Sequence, residues 1–265
     1  MVLLLGLALG SLAACGGAAP PDPLTAVREA VVRTFVERTA RLAFDSRTGP
    51  PGTPGTAVDG IGVADLVARS ADTTVTVPLL GAGARVVLVG GTLYAQVPPA
   101  LAFFVPGGRA WASIPLDRLA TATLGGALPV FAGTPTDPLQ QIAALQGIRE
   151  ARVVGQEPVD GTPATHYAAV VDLLATPAAS DPVQRPAVDR LVAQIGTNRL
   201  PVEVFVDQEG LVRRVVQTVT APDRPGRPAT STAVTVTLTE HGLPVTVTPP
   251  PADQVADVGA FLPAG

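Results

Sequence analysis

Lysine is missing from the chain: all eighteen basic residues among its 265 are arginine. That bias points to GC-rich coding of the kind actinobacteria show rather than to a functional demand. Against 22 acidic residues the net charge is −4, and the arginines form no cluster. A nucleic-acid partner is thereby excluded, because neutralising phosphates takes grouped basic side chains. Cysteine occurs once, at Cys15, and histidine twice, at His166 and His241. One cysteine cannot close an internal disulfide. No set of His, Cys, Asp and Glu stands at metal-ligand spacing, so neither a metal nor another cofactor is expected. No serine sits in a G-x-S-x-G elbow, and no glycine-rich loop leads from a strand into a helix to cradle phosphate. No catalytic residue is assigned, and the chain does not read as an enzyme. His166, between Thr165 and Tyr167 in a strand-like run, reads as structural or solvent-facing, and His241, before Gly242, as part of a turn. Asp207-Gln208-Glu209-Gly210 reads as a hairpin turn, since a calcium loop needs about twelve residues.

Charge is also scarce, at 15% of residues against 47% apolar, which rules out a disordered polar chain and leaves material for a sizeable core. Glycine and proline, 27 and 28 residues, make turns many and long helices few.

The first fifteen residues hold no charge and are apolar or small almost throughout. A membrane-spanning helix takes about 20 apolar residues, so this run fits the core of an export signal instead. It ends in Leu12-Ala13-Ala14-Cys15, a lipobox: an aliphatic residue, two small ones that fit a peptidase cleft, and a cysteine whose thiol takes a diacylglyceryl group. The positive charges that usually open such a signal are absent ahead of it, so either the start lies upstream of Met1 or the signal is unusual. Residues 1–14 are read as signal peptide, 15–23 as a lipidated tether whose Gly, Ala and Pro have nothing to bury, and 24–265 as a single domain. The location expected is the extracytoplasmic face of the cell membrane, with the membrane itself a partner through the lipid on Cys15.

Beyond the tether, Leu24, Val27, Val31 and Phe35 recur every three to four residues and predict a helix with one buried stripe. A Gly/Pro-rich loop from Thr48 to Thr56 is followed by strand-like runs ending at Val77, Val89, Val97 and Ile114, with glycine turns between them. Asp137 and Pro138 mark a second helix, the first as cap and the second at the opening position, with Gln140 where a capping-box partner belongs. Leu139, Ile142 and Leu145 form its buried face, and Gly147 stops it. A third helix, from about Pro186 to Ile195, turns Val188, Leu191, Val192 and Ile195 inward. Strands resume on both sides of it, the last over Pro244–Thr248.

The cleanest alternation is Val202, Val204 and Val206 against Glu203, Phe205 and Asp207, and Val234, Val236 and Leu238 against threonines. A period of two means one apolar and one wet face, as in an antiparallel sheet covered on one side. About ten such strands exceed what an open, twisted sheet usually holds. The fold class expected is therefore α+β: a large curled antiparallel sheet, a half-barrel, with a few helices packed on its concave face.

Four stretches carry a resemblance to a known family: DPLQQIAALQGI (Asp137 to Ile148), VVGQEPVDGTPATHYAAVVDL (Val153 to Leu173), LPVEVFVDQEGLVRRV (Leu200 to Val215) and VTVTLTEHGLPVTVTPP (Val234 to Pro250). In order, and together with the lipobox, they resemble the mycobacterial LppX/LprAFG-type lipoproteins, over most of the chain beyond the tether. That resemblance implies a half-barrel like the outer-membrane lipoprotein carriers, with an acyl-chain cavity, and a role in binding or shuttling a lipid or lipoglycan in the cell envelope. Val75, Val77, Leu93, Trp111, Tyr167, Val171, Val202, Val204, Val206, Val234, Val236 and Leu238 are the candidate cavity wall. Phe103 and Phe104 either form a greasy lip at its mouth or cap one end of the core. The rival is an envelope sensor or protein-interaction lipoprotein on the same fold, with side chains filling the cavity and a protein partner in place of lipid.

Overall fold

The computed structural model describes residues 21–76, 83–116, 118, 137–182, 184–225 and 228–259. Helix α1 (Pro23–Glu37) starts at Asp22, whose carboxylate accepts the N–H of Leu24 at 3.0 Å, and Pro23 supplies a preset φ at the first helical position. It buries Val27, Ala30, Val31 and Thr34, so Leu24 and Phe35 stand at the margin of the stripe. Arg38 ends it with φ of 67°, and its guanidinium pairs with Asp65 at 2.8 Å.

Five strands follow, β1 (Thr39–Gly49), β2 (Thr56–Asp65), β3 (Ser70–Thr76), β4 (Gly83–Val89) and β5 (Thr92–Gln96), and then β6 (Trp111–Pro115). The Gly/Pro loop is the tip of the β1–β2 hairpin, where Thr48 pairs with Thr56. Helix α2 (Pro138–Ala144) leads into the hairpin of β7 (Ile148–Val159) and β8 (Thr162–Asp172). Helices α3 (Pro177–Ser180) and α4 (Arg185–Ile195) precede β9 (Arg199–Asp207), β10 (Val212–Ala221), β11 (Thr230–Thr239) and β12 (Val255–Asp257). All twelve strands share one sheet in the order β12-β6-β5-β4-β3-β2-β1-β11-β10-β9-β8-β7. The pairing of β1 with β11, with Leu42 opposite Leu238 and Phe44 opposite Val236, joins its two halves.

The expected curled half-barrel is not what forms. The sheet is open, ending in β12 on one side and β7 on the other, and it is mixed, because β12 lies parallel to β6. Strand number alone was a poor guide to closure, since helices cover the apolar face and the sheet need not curl to hide it. The edges also suit closure badly: β12 has three residues, and β7 carries two register shifts, at Ile148/Glu150 and Val153/Gly155. The strand expected over Pro244–Thr248 is absent. Its hairpin neighbour β11 already has β1 and β10 on its two sides, so no free ladder remains for a returning strand.

One core lies between the inner face of the sheet and the helices, with Val27 and Val31 of α1, Leu139 and Ile142 of α2 and Val188 of α4 set against Val202, Val204, Val215, Val236 and Leu238. A small second cluster, Val159, Ala164 and Phe205, lies apart from it. Phe205 belongs to the opposite face of the sheet, where His166 stacks on it at 4.3 Å. Asp207, expected to face water, is buried at 7% exposure. It accepts the N–H groups of Glu209 and Leu211, each at 2.9 Å, and pairs with Arg213, so that it organises the β9–β10 turn.

Candidate functional site

Close packing fails between the inner face of the sheet and helices α2, α3 and α4. A cavity of about 540 Å3 lies between the sheet, which contributes Leu88, Leu200 and Gln217, and the helices, which contribute Leu139, Gln140, Gln141 and Ala144 from α2, Ala178 from α3, and Ala187, Val188 and Leu191 from α4. Alanine at 144, 178 and 187 is the local cause, because leucine-sized side chains at these helix faces would occupy the space. Leu191 is accordingly only half-buried, although it points inward. A smaller void of about 20 Å3 shares Leu88, Asp137 and Leu139 with the cavity.

Polar groups border the cavity on both sides, Arg69, Asp137, Gln140, Gln141, Thr176, Asp181 and Gln184 from the turn and helix side and Gln217 from the sheet. Arg69, in the β2–β3 turn with φ of 50°, donates from its two terminal nitrogens to Gln184 and Gln140, each at 2.7 Å. It thereby ties the turn to α2 and to the start of α4. Gln140, placed in the sequence for a capping box, has its carbonyl oxygen committed to this contact. Asp137 caps α2 through Oδ1, which accepts the N–H of Leu139 at 2.9 Å and of Gln140 at 3.3 Å. The carboxyl is 2% exposed, and its Oδ2 is buried without a hydrogen-bond partner among the described residues. Burial pushes its pKa above the ordinary carboxylate range, while the two N–H groups and Arg69 pull less strongly the other way. Gln217, 5% exposed, brings an amide to the cavity between Val215 and Val219 of β10.

The predicted wall lies elsewhere. Val75, Leu93, Tyr167, Val171, Val202, Val204, Val206, Val234, Val236 and Leu238 are all buried in the core, but none borders the cavity. Trp111 is buried on the other face of the sheet, with the Arg85 guanidinium 5.8 Å from its ring centre. Register explains this, since Ile114, three residues on, is the core-facing member of β6. Phe103 is 74% exposed. Val77, Cys15 and the side chain of Phe104 lie outside the described residues. Sequence reasoning missed Asp137 as a cavity group, along with Arg69 and Gln217. Gln217 was detectable as a polar residue at an inward position between Val215 and Val219.

Among the described residues no group of three His, Cys, Asp or Glu could hold a metal ion. His166 lies 3.4 Å from Glu203 on the outer face, apart from the cavity. His241 Nε2 lies 3.2 Å from the carbonyl of Val212, and burial lowers its pKa, with Arg213 adding to the effect. Among the described residues no helix is long and apolar enough to cross a membrane.

No family model matches the chain. An uncharacterized 31.2 kDa protein of Streptomyces griseus is 28% identical over 168 residues, 60% of this chain and 52% of its own, so the chain spans about half the length of the curated relative it matches. Among solved structures, the lipoprotein LppX of Mycobacterium tuberculosis is similar over 85% of this chain and 97% of its own, at 15% identity and a TM-score of 0.48. LprF from Mycobacterium bovis is similar over 87% and 99%, at 13% identity and 0.44. A LolA superfamily protein from Nitrosomonas europaea is similar over 85% and 96%, at 10% identity and 0.34.

Proposed function

We propose that the chain is a non-catalytic envelope lipoprotein that binds or shuttles a lipid or lipoglycan in the space between its sheet and helices, held at the outer face of the cell membrane through lipid on Cys15. The observation that carries this reading is the cavity of about 540 Å3, bordered by Leu88, Leu139, Leu173, Val188, Leu191 and Leu200. Protein interiors are otherwise close-packed, and a void forfeits the contacts its lining would make. The volume falls within the roughly 300–1,000 Å3 of small-molecule sites, which are typically apolar with a few placed polar groups. The Cys15 lipobox supplies the matching location.

One observation favours the sensor or protein-interaction reading instead: Val202, Val204, Val206 and their neighbours form a filled core. Mass spectrometry of organic extracts separates the two. The Cys15→Ala protein, purified without detergent, is expected to release a chain-bearing lipid, and Ala187→Phe in the same background to release much less. An extract that is empty from both, with no lipid taken up on incubation with vesicles, leaves the sensor reading in its place.

A further inference from the structure

Asp137 does two separable things. Its Oδ1 serves α2, whereas Oδ2 accepts no hydrogen bond from the described residues. A buried polar atom without a partner is costly, and such atoms in native proteins call for an explanation. Here the carboxyl borders a mainly apolar cavity, and neighbouring Arg69 donates from each terminal nitrogen to a glutamine carbonyl and not to Oδ2. Gln217, on the sheet side, offers an amide that can donate and accept.

Resting on the carrier reading, we infer that Asp137 Oδ2 is the head-group contact of the cavity, and that its ligand is an amphiphile with a neutral, hydroxyl-bearing head. Its single apolar chain lies along Leu139, Val188, Leu191 and Leu200. A hydroxyl donates to Oδ2, and Gln217, on the sheet side of the same cavity, offers its amide to the rest of the head. An anionic head is disfavoured, because the Asp137 and Asp181 carboxyls both border the cavity while Arg69 already shares its guanidinium between two glutamines. The volume limits the ligand as well: at ~30 Å3 for each water-sized group, about 540 Å3 holds one chain with a small head rather than several chains.

The test compares 1-decanoylglycerol with methyl decanoate, which has the same chain and no hydroxyl, by competition against a fluorescent fatty-acid probe on the full chain carrying Cys15→Ala. The wild-type cavity is expected to prefer the monoacylglycerol about tenfold. Asp137→Ser keeps a capping oxygen for the Leu139 and Gln140 N–H groups and leaves no polar atom where Oδ2 stood, so the preference is expected to fall to within about twofold. Decyl glucoside, if it competes as well as the monoacylglycerol, extends the head to sugars; if it does not, the head is glycerol-sized, as the volume argument expects. Equal binding of the first two probes by wild type overturns the head-group assignment and leaves the carrier reading standing, and this arm holds even if Asp137→Ser does not fold. A preference that survives in folded Asp137→Ser overturns it too. If wild type takes up neither probe, both readings fall.

Discussion

The hydroxyl of Thr34 in α1 accepts the backbone N–H of Val212 in β10 at 2.9 Å and donates to the carbonyl of Ala30 at 2.8 Å. Val212 stands at the register shift where β10 leaves its pairing with β9, so a helix side chain takes up an N–H at the irregular end of the ladder. Thr34 is 1% exposed. Thr34→Val, nearly the same shape, leaves that N–H buried and unpaired and is expected to cost about 1–3 kcal/mol in urea unfolding, while Thr34→Ser costs less. Equal losses in the two variants would show that packing of the methyl group, not the hydroxyl, seats α1 on the sheet.

Local signals in the chain were read well where the cause is local. Asp137 with Pro138 caps α2, and Asp207 to Gly210 forms the β9–β10 turn, because side-chain capping and positive φ at Gly210 act within a few residues. Openness of the sheet was not readable, since it depends on whether helices or other strands cover its apolar face, a matter of contacts far apart in sequence. The cavity was misplaced for a related reason. Alternation says which side chains point inward, so Val202 and Val204 were identified as inward-facing, but it does not say what meets them there. Alanines on α2, α3 and α4, not the strand valines, decide where the packing stops.

That difference separates two substitutions of the same kind. Val204 is fully buried in filled core, so Val204→Phe is expected to overpack it and lose about 1–3 kcal/mol. Ala187→Phe adds its ring to the cavity and is expected to leave stability unchanged or raise it by about 0.5–2 kcal/mol, while lowering bound lipid. Thermal melts of the two variants, read beside their extracts, check this. A strong destabilisation by Ala187→Phe would mean that the space is not available to a side chain.

Glu203, next to Val204, points its side chain outward at 53% exposure. Glu203→Arg is expected to change stability by no more than about 0.5 kcal/mol, as surface substitutions usually do. A larger loss in denaturant unfolding would show that its approach to His166 contributes to holding β8 against β9.

Cys15 lies before the described residues, and the reading of it as an anchor is tested by location rather than by folding. Burying acyl methylenes at ~0.8 kcal/mol each holds firmly once two or more chains are attached. Cys15→Ala is therefore expected to move the protein from the membrane pellet to the soluble fraction with an unchanged melting temperature. A variant that still sediments after high-salt washing removes lipidation at Cys15 as the cause of attachment.

Asp137 gives the prediction with a definite sign. Its folded-state pKa is raised by burial, whereas in the unfolded chain a carboxyl titrates near ~3.9. Between those two values the folded protein keeps a proton that the unfolded chain has released, so stability falls as pH rises through this window. Above the raised value both states are ionised and the cost levels off. Asp137→Asn does not titrate and retains an oxygen for the cap of α2, and all other carboxyls are common to both proteins. The difference in stability between wild type and Asp137→Asn should therefore shift toward the asparagine variant as pH increases from the ordinary carboxylate pKa upward. Paired chemical unfolding of delipidated protein at a series of pH values measures it. A difference that is flat with pH, or that moves toward wild type, would mean that the carboxyl finds a counter-charge or solvent that its burial beside Leu139 does not suggest, and the acid would then sit in the cavity as an ordinary carboxylate.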